Sequence, residues 1–187
     1  MEQQATTKRQ KRALDLYIWL QALVIALVSL ILIFTFVGRV IGVDGKSMMP
    51  TLHDKDMLLL QSVGYTPKQG DVVVLRKQFA DVKGPIVKRV IATGGQTVEI
   101  NYNLGLVTVD GEVIHEPYIN EPMEWPDSQW ETIDSVTVPE GHIFVMGDNR
   151  NHSSDSRDER LGVVDERYVL GRALWVVLPF GNFGAIE

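Results

Sequence analysis

The stretch Gly45-Lys46-Ser47-Met48-Met49-Pro50-Thr51-Leu52 follows a long apolar segment and begins the folded region of the chain. Loops favour Gly, Asn, Asp and Ser for their turn geometry, so two methionines and a proline directly after a serine need another explanation. Ser47 is the candidate nucleophile of this stretch. The segments on either side indicate what the serine is attached to and what could activate it.

The segment before this stretch predicts a transmembrane anchor. From Leu16 to Val37 the sequence carries no charge and consists largely of Leu, Ile, Val, Ala and Phe. A helix of that length spans about 33 Å, enough for a hydrocarbon core of ~30 Å. Tyr17 and Trp19 lie at its start, where amphipathic rings suit the headgroup region. We therefore expect residues 16–37 to cross a membrane.

Basic residues predict the orientation of this anchor. They are concentrated before it, whereas Arg39 alone closely follows it; those before it are Lys8, Arg9, Lys11 and Arg12. The positive-inside bias then places a basic tail, 1–15, in the cytoplasm and the domain 38–187 on the extracytoplasmic side. The alternative is a cleaved signal peptide, but its apolar core would be about 7–15 residues long and would end in a small-x-small site. Residues 34–39 offer no such site.

The sequence after residue 40 predicts a mainly β domain. Short apolar runs alternate with turns rich in Gly and Pro, and Asp110-Gly111 between two such runs is typical of a type I′ hairpin. The predicted strands are 56–61, 72–75, 86–91, 97–100, 107–109, 112–114, 136–138, 142–146 and 167–178. Residues 115–135 have no clear periodicity and are predicted to be a surface excursion. Because strands outnumber helical patterns, we expect an antiparallel β architecture.

Composition excludes several classes of function. The chain has no cysteine, which removes disulfides, thiolate metal sites and cysteine nucleophiles. Its net charge is -6, and nucleic-acid binding would need clustered Lys and Arg. Gly45-Lys46-Ser47 resembles the end of a phosphate-binding loop, but Pro50 would fall in the first turn of the required helix. In the loop after Asp148, Arg150 and His152 occupy the positions of calcium ligands. We expect no nucleic acid, no metal and no cofactor.

Ser47 needs a base that removes its proton. Histidine is the usual base, and His152 beside Ser153 and Asp155 is the only arrangement that hints at a Ser-His-Asp triad. Lys88 is the stronger candidate, because strand alternation puts it on one face with Ile86 and Val90.

Burial lowers the pKa of a lysine, and a useful base titrates near ~7–8 instead of about 10.4. A lysine whose amine extends to solvent from a half-buried strand is the alternative interpretation. The spacing alone does not decide between a buried Lys88 with a lowered pKa and a Lys88 whose amine extends to solvent.

A polar run extends from Gly147 to Arg157 directly after a predicted strand. By itself it is typical of a solvated loop with Asx turns. It could instead orient the amine of Lys88 through a hydroxyl and hold the site with ion pairs.

Taken together and in this order, four stretches resemble the bacterial type I signal peptidases, which are membrane-anchored peptidases with a serine/lysine dyad. The stretches are Ser47-Met48-Met49-Pro50-Thr51, Gly70-Asp71-Val72-Val73-Val74, Lys88-Arg89-Val90-Ile91-Ala92 and residues 147–157. With the anchor, the resemblance covers nearly the whole chain.

The resemblance implies that Ser47 attacks the scissile carbonyl and that Lys88 is the general base. It also implies that Ser153 donates or accepts a hydrogen bond with the lysine. The remaining side chains implied to orient and brace the site form two ion pairs, Asp148 with Arg89 and Asp155 with Arg157.

The resemblance further implies shallow apolar pockets for small residues at the first and third positions before the cut. The matching positions are Val43, Met48, Leu52 and Val87, which core packing would explain equally well. Some relatives have a serine two positions before the nucleophile that helps to form the oxyanion hole. Here Gly45 stands at that position, so the Ser47 backbone N–H is the one implied donor and the second donor is unknown.

These expectations define a function. The resemblance implies a membrane-bound serine endopeptidase that removes signal peptides from secreted preproteins after an Ala-x-Ala motif. It implies a single-pass protein of the cell membrane whose partners are secretory preproteins and phospholipid, and a β-rich fold with a small inserted β region at about 102–140. The alternatives are a serine/lysine autoprotease of the kind that cleaves repressors, and a catalytically inactive membrane-anchored scaffold or binding module of the same fold.

Overall fold

The structure is a computed structural model that describes residues 2–36, 38–77, 84–125 and 132–186. The chain divides into two compact units, Met1–Gly38 and Arg39–Glu187. The first is a helix and the second is built of strands. The predicted fold class, mainly β with one N-terminal apolar helix, is confirmed.

The helix, α1, covers Glu2–Phe36. Its segment Ala13–Ile31 has a mean hydropathy of 2.1, and its residues are exposed. At 1.5 Å per residue this segment is about 28 Å long, close to the thickness of a hydrocarbon core. It therefore fits membrane anchoring. Val37, the last residue of the predicted anchor, and the side chains of the predicted basic cluster lie outside the described residues.

The strands of the second unit contain many β-branched residues, which suit a pleated and buried surface. In chain order they are β1 (Gly38–Gly42), β2 (Met57–Gln61), β3 (Val72–Leu75), β4 (Ile86–Thr93), β5 (Thr97–Asn101), β6 (Leu106–Val109), β7 (Glu112–Val113), β8 (Ser135–Thr137), β9 (His142–Met146), β10 (Val164–Asp165), β11 (Val169–Leu178) and β12 (Gly184–Ala185). Short 3-10 turns cover Arg150–His152, Glu166–Tyr168 and Phe180–Asn182.

The strands form two antiparallel sheets in the part of the chain that the structure describes. The larger has the order β1-β2-β11-β3-β4-β9-β10, with β12 paired to β11. The smaller has the order β7-β6-β5-β8 and is inserted between β4 and β9. It includes β5, which lies before the predicted insertion at 102–140, because β5 pairs with both β6 and β8.

The predicted hairpin is present between β6 and β7. Asp110 and Gly111 both have positive φ, 53° and 83°, as a type I′ turn requires. The segment after it differs from the predicted surface excursion, since Met123 is 3% exposed and the Glu116 side chain is 7% exposed. Residues 126–131 of that excursion lie outside the described residues.

The apolar residues beside Ser47 belong to the core. Met48 and Leu52 are 1% and 0% exposed, and they pack in one cluster with Val72, Val74 and Val87 of the larger sheet. Burying one such side chain stabilises a fold by about 1.5–3 kcal/mol. The loop that carries the candidate nucleophile is therefore fixed to the sheet by its methionine and leucine.

Candidate active site

The loop between β1 and β2 and the middle of β4 bring Ser47 and Lys88 together. Lys88 Nζ donates a hydrogen bond to Ser47 Oγ at 2.7 Å. When the amine is neutral, the same contact lets it accept the hydroxyl proton instead. The pair is thus close enough for direct proton transfer.

Lys88 is buried, and its environment alters its protonation. The residue is 4% exposed, so its side chain does not extend to solvent as the alternative interpretation required. Burial lowers the pKa of Lys88 to about 8, while the Asp155 carboxylate raises it and the Arg157 guanidinium lowers it. A substantial fraction of the amine is therefore neutral near pH 8.

Ser153 does not make the expected hydrogen bond to Lys88. Its Oγ is buried and has no hydrogen-bond partner among the described residues. The hydroxyl lies beside Gly147 instead, where a Cβ would overlap it and would also lie 2.5 Å from the Ser47 carbonyl oxygen. A glycine at 147 therefore leaves room for both the Ser47 carbonyl oxygen and the Ser153 side chain next to the end of β9.

Asp155 and Arg157 form a buried ion pair. Arg157 Nε donates to Asp155 Oδ1 at 2.8 Å, and Arg157 Nη2 donates to Oδ2 at 2.9 Å. The same Oδ2 accepts from the backbone N–H of Gly147 at 2.9 Å. Burial raises the pKa of the Asp155 carboxyl, but the charge and hydrogen bonds of Arg157 outweigh burial and hold the pKa below its usual range. An ionised Asp155 therefore anchors the start of the polar run.

Arg89 and Asp148 form a second buried ion pair. Arg89 Nε donates to Asp148 Oδ1 at 2.9 Å, and Nη2 donates to Oδ2 at 2.8 Å. Thr51 Oγ1 donates to Asp148 Oδ2 at 2.5 Å, which connects the nucleophile loop to this pair. Arg89 lies next to Lys88 on β4, so the ion pair connects the strand that carries the lysine to the loop after β9.

Arg150 and Glu116 form a third buried ion pair, which no sequence pattern indicated. The guanidinium of Arg150 contacts both carboxylate oxygens of Glu116, with Nη1 donating to Oε2 at 2.9 Å. Tyr118 donates from its hydroxyl to Glu116 at 3.1 Å, and its ring lies 4.0 Å from the Arg89 guanidinium carbon. Since Glu116 and Arg150 are 34 positions apart, no local pattern could have paired them. This contact connects the inserted region to the polar run.

Backbone groups near Ser47 also make hydrogen bonds. Asn149 N donates to the Ser47 carbonyl oxygen at 3.0 Å, and Asn149 Nδ2 donates to the Lys46 carbonyl oxygen at 3.1 Å. The backbone N–H of Gly45 donates to Asp54 Oδ1 at 3.0 Å. The main chain of Gly45 is therefore occupied and does not offer a second oxyanion donor in this arrangement.

The implied pocket residues lie together. Val43, Met48, Leu52 and Val87 belong to one buried cluster, and none is more than 7% exposed. This packing agrees with the core interpretation, and a role in substrate selection stays a prediction. His152, the candidate of the triad alternative, is exposed.

Comparisons with known proteins give a consistent result. Residues 16–178 match the family model described as signal peptidase, peptidase S26. A Synechocystis sp. protein described as a "probable signal peptidase I-1" is 37% identical over 173 residues, which cover 88% of this chain and 83% of the relative. A signal peptidase I of Bacillus licheniformis is 35% identical over 188 residues, which cover 97% of this chain and 96% of the relative.

Solved structures of other proteins also resemble this chain. The crystal structure of a signal peptidase I from Enterococcus faecalis V583 aligns with a TM-score of 0.44 and 28% identity. The alignment covers 58% of this chain and 97% of that one.

Proposed function

The chain belongs to the signal peptidase family, peptidase S26, and from this we propose a membrane-bound serine endopeptidase that removes signal peptides with a Ser47/Lys88 dyad. The family supports a peptidase that processes secretory preproteins. The dyad, the cleavage motif after Ala-x-Ala and the single-pass topology with a cytoplasmic N-terminus are our proposals.

The observation that carries the proposal is the 2.7 Å contact between Lys88 Nζ and Ser47 Oγ inside a buried setting. A serine hydroxyl is a weak nucleophile until a base removes its proton. A lysine serves as that base only when neutral, and burial lowers its pKa to about 8. Proximity and protonation state therefore favour the same reaction.

In the first half-reaction Ser47 Oγ bonds to the scissile carbonyl carbon while Lys88 Nζ takes the hydroxyl proton. The electron pair of the carbonyl π bond moves to the oxygen, and the Ser47 backbone N–H donates to this oxyanion. The C–N bond then breaks, and the Lys88 ammonium gives its proton to the leaving amine. An ester joins Ser47 to the signal peptide.

In the second half-reaction Lys88 takes a proton from water, and the resulting hydroxide attacks the ester carbonyl. The C–O bond to Ser47 breaks, and the serine oxygen regains a proton from Lys88. The signal peptide leaves as a carboxylic acid, which releases its proton to solvent and becomes a carboxylate, and both residues return to their starting states.

Selection of small residues before the cut is assigned to Val43, Met48, Leu52 and Val87. The four belong to one buried cluster in which only Val43 and Val87 are as much as 7% exposed, so this cluster would offer a substrate only shallow depressions. Such depressions would accept alanine and exclude larger side chains.

Apolar groups exposed on the second unit support action at a membrane. Trp175 and Leu178 of β11 are 41% and 44% exposed, and Phe180 and Phe183, which follow, are 83% and 56% exposed. Together these four residues form the apolar patch. Tethering enzyme and preprotein to one bilayer raises their effective concentration.

The test is cleavage of a preprotein with an Ala-x-Ala site by the purified full chain in detergent. We expect Ser47→Ala and Lys88→Ala to abolish cleavage, and kcat/KM of the unaltered chain to rise with pH through about 8. Lys77→Ala is the matched control, because Lys77 is also partly buried but donates to the Leu161 carbonyl. Full activity in both dyad variants would refute the dyad, and an unaltered chain without activity would favour the inactive scaffold.

A further inference from the structure

Asn149 uses its side chain in an unusual way. It is the N-cap residue of the turn Arg150–His152, a position where asparagine commonly accepts a hydrogen bond from the helix backbone. No such cap bond is present. The side-chain amide donates instead to the Lys46 carbonyl oxygen at 3.1 Å, and the backbone N–H of Asn149 donates to the Ser47 carbonyl oxygen at 3.0 Å.

The contact to the Lys46 carbonyl oxygen, which also accepts from Met49 N at 3.2 Å, holds the peptide group between Lys46 and Ser47, and the contact to the Ser47 carbonyl oxygen holds the peptide group that follows it. The peptide group between Lys46 and Ser47 is trans, so its C=O and N–H point in opposite directions. Because the carbonyl oxygen points to Asn149, the Ser47 N–H points to the other side. That N–H has no acceptor within 38–77, 84–125 and 132–186, so it is available to a ligand.

The same contact strengthens the donor. A peptide group that accepts a hydrogen bond at its oxygen becomes more polarised, and its N–H becomes a better donor. This matters in a chain whose Gly45 has no hydroxyl and donates its backbone N–H to Asp54. The Ser47 N–H therefore carries more of the oxyanion stabilisation.

We infer that Asn149 is a positioning residue, which aims and polarises the Ser47 N–H at the oxyanion of the tetrahedral intermediate. The inference rests on the proposed role of Ser47. Asn149 Nδ2 lies on the carbonyl side of the peptide, opposite the oxyanion, and so does not contact the reacting atoms itself.

The test compares Asn149→Ala with the unaltered full chain in detergent, using a peptide with alanine at the first and third positions before the cut. A lost oxyanion donor costs about 10²–10³ in rate. This variant keeps the Ser47 N–H but loses the hydrogen bond from Asn149 that orients its peptide group. We therefore expect kcat to fall about tenfold or more with KM nearly unchanged. The midpoint of the pH profile should stay in place, because Lys88 is untouched.

A second readout separates transition-state binding from ground-state binding. When the same peptide ends in an aldehyde, the Ser47 hydroxyl adds to the aldehyde carbonyl and forms a tetrahedral hemiacetal. We expect Asn149→Ala to lower the affinity for this aldehyde by the same factor as it lowers kcat. The affinity for the matching product peptide, which forms no tetrahedral adduct, should stay unchanged. Asn149→Asp keeps the shape but removes the side-chain N–H, and we expect an equal or larger loss.

Asn151→Ala is the matched control in the same loop. It removes side-chain contacts to Glu121, Pro122 and Glu124 of the inserted region, and it should keep kcat. The inference is overturned if Asn149→Ala keeps kcat, raises only KM, or is equalled by Asn151→Ala. Activity in Ser47→Ala would instead overturn the proposed function, so the two failures are distinguishable.

Discussion

At the scale of single residues, Lys88 is 4% exposed, and burial lowers the pKa of its amine from 10.5 to about 8. Below pH 8 the amine is charged in both the folded and the unfolded chain, so the folded state bears the full cost of desolvation. Between pH 8 and 10.5 the unfolded chain binds more protons, so stability rises with pH. At 1.36 kcal/mol per pKa unit the difference is about 3 kcal/mol.

Lys88→Met is therefore expected to abolish cleavage and stabilise the fold at pH 7 by up to about 3 kcal/mol, because it removes the charge and keeps much of the volume. The gain should shrink as the pH approaches 10.5, where the unaltered amine is neutral in both states. Chemical denaturation of both proteins at pH 7 and pH 10 measures this. Equal differences at the two pH values would contradict the role of desolvation.

At the scale of elements, the polar run after β9 contacts every other part of the site. Asp148 contacts Arg89 of β4, Asn149 contacts the nucleophile loop, and Arg150 contacts Glu116 of the inserted region. The Arg150 side chain is 0% exposed. A buried guanidinium depends on its partner, because an unpaired buried charge costs several kcal/mol.

Glu116→Ala is expected to destabilise the protein by about 3–5 kcal/mol, since it leaves Arg150 without its carboxylate. Adding Arg150→Met should recover much of that loss, because the double variant removes both charges. Urea denaturation of the four proteins of this cycle measures the coupling. Glu99→Ala, an exposed glutamate of β5, is the control. A loss below about 1 kcal/mol in Glu116→Ala would show that water or another group compensates Arg150.

Most strands could be predicted from their local composition, but the candidate site could be predicted only in part. Runs such as Val72–Leu75 are buried on both faces. Lys88 is buried too, but its strand is buried on both faces, so the alternation of its neighbours did not decide between a buried amine and one that extends to solvent. The strands β1, β10 and β12 were missed because short edge strands depend on their neighbours more than on their own residues. The Glu116–Arg150 pair and the position of the Ser153 hydroxyl depend on tertiary packing, which spacing does not encode.

At the scale of the whole molecule, the apolar patch is exposed on an otherwise acidic chain. The rings of Trp175 and Phe183 have centroids 5.5 Å apart, so they form one continuous apolar surface. These features favour insertion of the patch into lipid.

Replacing both Trp175 and Phe183 with serine is expected to lower cleavage of a preprotein embedded in phospholipid vesicles by roughly severalfold, because interfacial binding scales with buried apolar area. Cleavage of a short soluble peptide in detergent should stay unchanged. Trp125→Ser, at an aromatic side chain that is 63% exposed, is the control. Equal losses on both substrates would show damage to the site, and no loss on vesicles would exclude lipid contact by the patch.

The crowding at Gly147 has a consequence for evolutionary drift. Any side chain there would separate the Ser47 carbonyl from the Ser153 hydroxyl, since a single added carbon already overlaps both. A lineage that retains the activity is thus confined to glycine at this position, whereas exposed positions such as His152 are free to vary.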